Sequence, residues 1–183
     1  METAHSSSNV SALDTNEGWL LPAIIGATVG IAIGAALFVK APALALALPL
    51  LCAAAAIDAV TMRLPDRLIL PAMAVACFGA SLWGNPTDAL FGLAFAILVG
   101  MATHLARPNG MGLGDVKLLA VIGGALGFHG TITTVIVGCF FAITAIVISR
   151  CRKQAMYEIP AGPYFVAGSI IAAISANCFP HSS

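Results

Sequence analysis

The chain has 183 residues, 60% of them hydrophobic and only 9% charged, against about a quarter charged in an ordinary soluble domain. Eight acids and eight Lys/Arg cannot supply the charged shell that a water-soluble protein of this size needs, so its main solvent is lipid. The net charge is zero, which leaves no basic face for nucleic acid.

Residues 1–17 are polar and Ser-rich and carry Glu2, Asp14 and Glu17 but no basic side chain. They read as a disordered tail. The apolar run that follows lacks the basic n-region of a signal peptide and is expected to be a retained membrane helix. Seven apolar runs then succeed one another: Leu20–Val39, Leu44–Ala59, Leu68–Leu82, Ala89–Leu105, Asp115–Phe128, Ile132–Ser149 and Pro163–Ala176. Several are shorter than the twenty or so residues of a perpendicular span. Asp115–Phe128 reads as a short helix, with the preceding loop dipping inward. Lipid offers no partner to unpaired backbone groups, and nothing alternates with the period of a barrel strand. The fold class expected is therefore all-α, a polytopic transmembrane bundle of six or seven helices.

If all seven runs cross, Arg63, Arg67, Arg107, Lys117, Arg150, Arg152 and Lys153 fall on one side and only Lys40 on the other. Positive residues stay inside, so the N-terminus is expected in the cytoplasm and the C-terminus outside it. In the first run, Gly26, Gly30 and Gly34 make a stripe of small residues four apart, which lets two helix backbones approach closely. The stripe serves packing within this chain or a homo-oligomer face; sequence leaves both open.

Cys52, Cys77, Cys139, Cys151 and Cys178 form no CxxC pair and mostly sit in apolar runs, which suits inert packing better than disulfides or zinc. The four histidines are scattered, so no metal is assigned.

Acids are scarce enough that their positions are informative. Glu2, Asp14 and Glu17 belong to the tail, Asp88 to an outer turn with Asn85 and Pro86, and Asp66 and Glu158 to inner loops. Asp58 and Asp115 remain. Asp58 closes the apolar run 50–57, where a carboxylate costs about 2.5–3.5 kcal/mol at mid-membrane and less near the surface. It is either an interfacial Asp reaching water near Arg63 or an inward-facing group with a task. Asp115 follows Gly110, Gly112 and Gly114 and starts a helix, as a cap or as a site residue. By the topology above, Asp58 ends an inward-going helix and Asp115 begins an outward-going one, so both lie at the inner surface. Two adjacent carboxylates cannot easily both ionise and so share a proton. An aspartyl protease needs that arrangement: one carboxylate takes a proton from water while the other, protonated, polarises the scissile carbonyl. Helix polarity suggests that Asp58, near a C-terminus, holds the proton and Asp115, at an N-terminus, is the base.

Three motifs now resemble the type IV prepilin peptidases, bacterial aspartyl proteases of the GxGD kind. They are Asp58 followed by Arg63-Leu64-Pro65-Asp66; Gly112-Leu113-Gly114-Asp115-Val116-Lys117; and Ile159-Pro160-Ala161-Gly162-Pro163-Tyr164. The likeness covers roughly residues 44–176. It implies a catalytic membrane domain over 44–178, with 18–43 as an additional N-terminal helix. It implies Asp58 and Asp115 as the catalytic pair, with Gly112, Gly114, Lys117, Pro65, Pro160, Gly162 and Pro163 in support and with no cofactor. It also implies a prepilin or pseudopilin precursor as the partner, cut at the cytoplasmic face of the inner membrane. Asp66 stands where Asn is usual, and Ala161 where Phe is. The absence of CxxC and of a long loop is similar to the short, peptidase-only form that serves Flp pili, without N-methyltransferase activity. Lys117 either anchors the inner loop or lipid phosphate, or touches the pair. Two rival readings stand beside the protease. One is a small transporter or proton relay using Asp58 and Asp115; the other is a structural subunit of a secretion machine.

Overall fold

The computed structural model describes residues 19–61, 64–106, 112–151 and 161–175. The tail 1–17, residues 109–111 of the glycine loop, Pro160, and the basic residues Arg63, Arg107, Arg152 and Lys153 lie outside them. Six helical elements and no strand make up the described residues: α1 Leu20–Leu37, α2 Pro42–Thr61, α3 Asp66–Trp83, α4 Pro86–Ala106, α5 Leu113–Cys151 and α6 Gly162–Ser175. The all-α expectation holds. Five of the six are long and apolar enough to cross a membrane, and α6 is shorter. At about 1.5 Å per residue, α1 to α4 each run about 27–32 Å, matching a hydrocarbon core of about 30 Å.

α5 has 39 residues, about 58 Å of helix and twice that thickness. It is two helices joined at Gly127, the one residue inside it without helical backbone angles (φ 71°, ψ −171°). The sequence reading puts the separation between Phe128 and Ile132; the structure moves it to Gly127. Positive φ excludes most residues with a Cβ, and here a Cβ would also run into the Asp88 carboxylate. Asp88 lies in the first turn of α4 and accepts a hydrogen bond from the Phe128 N–H at 3.2 Å. It thereby caps the second half of α5, as a side-chain oxygen caps any fresh helix start. The Thr131 hydroxyl, fully buried, donates to the Gly127 carbonyl at 2.6 Å.

α2 is the centre of the bundle and touches α1, α3, α5 and α6. Its Leu44, Ala47, Leu48, Leu51 and Ala54 are fully buried, and the same core takes in Ile69 and Ala72 of α3 with Leu118, Val121 and Ile122 of α5. The glycine stripe of α1 is spent here. A Cβ on Gly26 would sit 2.5 Å from the Cys52 carbonyl oxygen, on Gly30 2.6 Å from Pro49 Cα, and on Gly34 2.6 Å from the Ala45 carbonyl oxygen. All three glycines are buried against α2, so they offer no face to a second copy, and the homo-oligomer reading of Gly26, Gly30 and Gly34 is set aside. A second close approach joins α4 to α5, where a Cβ on Gly123 would lie 2.5 Å from the Gly92 carbonyl oxygen.

Candidate active site

Asp58 stands in the last turn of α2, three residues before Thr61. It is 5% exposed. Its Oδ2 accepts a hydrogen bond from the Gly162 N–H at 3.2 Å, and Gly162 is the first residue of α6. The backbone can come this close because residue 162 has no side chain: a Cβ there would lie 2.9 Å from Asp58 Oδ2. Pro163 follows in the first turn, where a missing N–H costs nothing. The supporting residues Gly162 and Pro163 thus build the helix start that receives Asp58.

Asp115 stands in the first turn of α5 and is 9% exposed. Gly112 is the cap. Its carbonyl accepts from the N–H of Asp115 at 3.1 Å and of Val116 at 3.4 Å, and its own N–H donates to Asp115 Oδ2 at 3.2 Å. This is the return half of a capping box, with the third helical residue reaching back to the cap. Asp115 is therefore a capping residue as well as a site candidate, and the two readings are not exclusive. Its Oδ1 is buried and has no hydrogen-bond partner among the described residues. Asp58 lies near enough to Asp115 to act on it electrostatically.

The rest of the sequence-derived set gathers at this end of the bundle. Gly114 lies against Leu64, whose Cβ would be 3.0 Å from a Cβ on the glycine. Pro65 is the N-cap of α3, with extended backbone angles of −76° and 116°, and its carbonyl accepts from the N–H of Leu68 at 3.0 Å. Asp66, expected in a loop, is instead the first residue of α3. The Lys117 Nζ donates to Asp66 Oδ1 at 2.8 Å and to Oδ2 at 2.9 Å. Of the two readings of Lys117, the one that anchors the inner loop agrees with this pair. Sequence reasoning named Leu64 only as part of a motif and missed the Asp66–Lys117 pairing; the only available signal was a charged residue shortly after each candidate aspartate, the two of opposite sign. It also read Asp88 as a turn residue and missed its grip on α5.

The polarity argument for the resting proton counted only the helix that carries each aspartate. α6 presents its own N-terminal amide to Asp58, and that end of a helix carries partial positive charge. Helix polarity therefore does not choose between the two. Among the described residues, no group of three or more His, Cys, Asp or Glu is arranged to hold a metal ion.

The chain is similar in sequence to known proteins. The model of the type IV leader peptidase family matches residues 44–147. The prepilin leader peptidase/N-methyltransferase of Pseudomonas aeruginosa is 32% identical over 131 residues, covering 67% of this chain and 45% of that protein. The protein of the same description from Bacillus subtilis is 31% identical over 133 residues, covering 67% and 51%, and that of Aeromonas hydrophila 32% over 136 residues, covering 63% and 43%. The chain spans about half the length of these curated relatives. No solved structure matches it. The family match begins within α2 and runs into the second half of α5, taking in both Asp58 and Asp115, and on that ground the chain belongs to the type IV leader peptidase family.

Proposed function

We propose that this chain is a membrane aspartyl endopeptidase that removes the leader peptide from a prepilin or pseudopilin precursor. Asp58 and Asp115 are the catalytic pair of this reading. The observation that carries it is the burial of two carboxylates, Asp58 at 5% and Asp115 at 9% exposure, at one end of the bundle, near enough for one to act on the other electrostatically. Backbone amides occupy one oxygen of each, Gly162 on Asp58 and Gly112 on Asp115. Among the described residues, that leaves Asp115 Oδ1 without a donor, placed to hold a shared proton or a water.

In the reaction, one carboxylate is ionised and the other protonated. Water attacks the scissile carbonyl carbon and gives its proton to the ionised group. The protonated group donates to the carbonyl oxygen; the C–N bond then breaks as the departing amine takes a proton from one carboxyl and a hydroxyl of the tetrahedral intermediate returns one to the other, leaving the pair with its single proton. Water, one peptide bond and two protonation states are balanced, and no further reactant is needed. Gly112, Gly114, Pro65, Gly162 and Pro163 hold the two helix starts and the α2 end in register.

The site is assigned to the cytoplasmic face of the inner membrane, with the N-terminus inside and the C-terminus outside. Arg67 and Lys117 near the pair, against Lys40 at the far end beside Asp88 and Gly127, support this by the preference of cationic loops for the inside. Residues 1–17 serve as a cytoplasmic tail, 18–43 as an additional helix and 44–178 as the catalytic domain. The substrates are Flp-type precursors, and no methyl transfer accompanies the cut.

Co-expression with a prepilin from the same genome tests the reading by the precursor's size on a gel. The unaltered chain shortens the precursor. Asp58→Asn and Asp115→Asn each lower the rate by about 10³-fold, within the range of one general acid or base, while still reaching the membrane. A precursor left whole by the unaltered chain, or cut at full rate by either variant, overturns it.

A further inference from the structure

We infer that Lys117 and Asp66 are positioning residues, a clasp that sets the distance between the two candidate catalytic carboxylates. The inference rests on the proposed protease reading and adds a part of the machinery to it. Along the chain, Asp66 follows Asp58 by eight residues, across the end of α2 and the start of α3. Lys117 follows Asp115 by two. The ion pair therefore joins the two segments that carry the dyad, just beyond the dyad itself. Both Lys117 hydrogen bonds are short, 2.8 Å and 2.9 Å, and reach both oxygens of one carboxylate.

Position on the helix says what Lys117 does not do. Two residues along a helix is a turn of about 200°, so Lys117 leaves α5 on the side away from Asp115. It points to α3, and its side chain is 46% exposed, with 58% for Asp66. An ion pair this exposed adds little to stability. Position is another matter, because a misplacement of about 1 Å at a reacting group can cost about 10²-fold in rate. Gly114 rests on Leu64 and Val116 on Gly100, both apolar and without direction, whereas the clasp is directional. It also places Asp66 at the N-terminus of α3, where a carboxylate suits the helix polarity.

The clasp is tested by steady-state cleavage of a purified precursor in nanodiscs, at low and high salt. Asp66→Ala and Lys117→Ala each lower kcat about tenfold with KM within about twofold, and the double variant is no worse than either single one. Exchanging the charges, Asp66→Lys with Lys117→Asp, recovers most of kcat. High salt lowers kcat of the unaltered chain, and the single variants do not respond to it. Losses that multiply in the double variant, or that fall on KM, overturn the clasp and make each residue a separate substrate or lipid contact. A second measurement needs no substrate: Asp66→Cys with Lys117→Cys is treated in the membrane with a short bismaleimide cross-linker that spans the reach of the lysine side chain, and the linked peptides are read by mass spectrometry. A linked pair, together with an unaltered chain that cuts no precursor, sinks the protease reading and leaves the contact standing. An unlinked pair in a chain that cuts normally sinks the clasp alone.

Discussion

The two ends of the bundle use aspartate at helix starts in opposite ways. At one end Asp88 reaches from α4 to the Phe128 N–H and fills the space beside Gly127. It is half-buried, on a small pocket that Lys40 also lines, and its Oδ1 is spent on closing the break in α5. At the other end Asp115 makes the same kind of amide contact, to Gly112 at 3.2 Å, but its second oxygen is buried with nothing to bond among the described residues. Leaving a buried polar atom unpaired costs about 1–3 kcal/mol. The half-buried Asp88 escapes that cost, and the buried Asp115 bears it. Burial of the second oxygen without a donor, rather than position on a helix, separates the candidate site acid from the capping acid here.

The sharpest way to break this comparison is Gly162→Ala. The added Cβ would stand 2.9 Å from Asp58 Oδ2, so either the carboxylate or the start of α6 must shift by a few tenths of an ångström. Cleavage is expected to fall about 10²-fold, the scale of a small misplacement at a reacting group. Unfolding in mixed SDS micelles should shift far less, because the displaced group sits at a helix end. A variant that keeps full cleavage would mean that the hydrogen bond from Gly162 to Asp58 is not part of the working site.

The contrast runs the other way for Asp88→Ala. Removing the cap on Phe128 is expected to cost about 1 kcal/mol of stability, as loss of a helix cap does. Cleavage per folded molecule should stay within about twofold, because Asp88 lies at the opposite end from the candidate pair, Asp58 and Asp115. SDS unfolding and precursor cleavage on one preparation check both halves. A large loss of kcat with unchanged unfolding would show that the break at Gly127 governs Asp115 along α5.

How much of this was legible depended on rarity. Asp58 and Asp115 stood out as candidates because only eight acids interrupt an apolar chain, and the helices were readable because lipid permits little else. The break in α5 was harder. Gly123, Gly124, Gly127 and Gly130 all lie in that stretch, and the choice among them is made by Asp88, 40 residues back in the chain. The Asp66–Lys117 pair spans 51 residues and leaves no periodic trace. The stripe of Gly26, Gly30 and Gly34 was legible as a close-packing surface but not as to its partner, because any apolar helix with small residues could have filled it; α2, with Cys52, Pro49 and Ala45 at the contacts, does so.

The smallest effect, and one of opposite sign, is expected at Gly124. Its neighbour Gly123 is locked, since a Cβ there would meet the Gly92 carbonyl oxygen at 2.5 Å. At Gly124 the nearest atom to a new Cβ is Leu93 Cδ1 at 3.6 Å, an ordinary contact, and the backbone is helical, with Gly127 the lone exception in α5. Alanine is favoured over glycine in a helix by about 0.5–1 kcal/mol. Gly124→Ala should therefore raise stability by about that amount, seen as a higher SDS midpoint, with cleavage unaltered. Gly123→Ala, one residue away, should lower it. If both substitutions destabilise alike, the α4–α5 contact is broader than the Gly92–Gly123 approach, and the far end of the bundle is packed as tightly around α5 as the dyad end is.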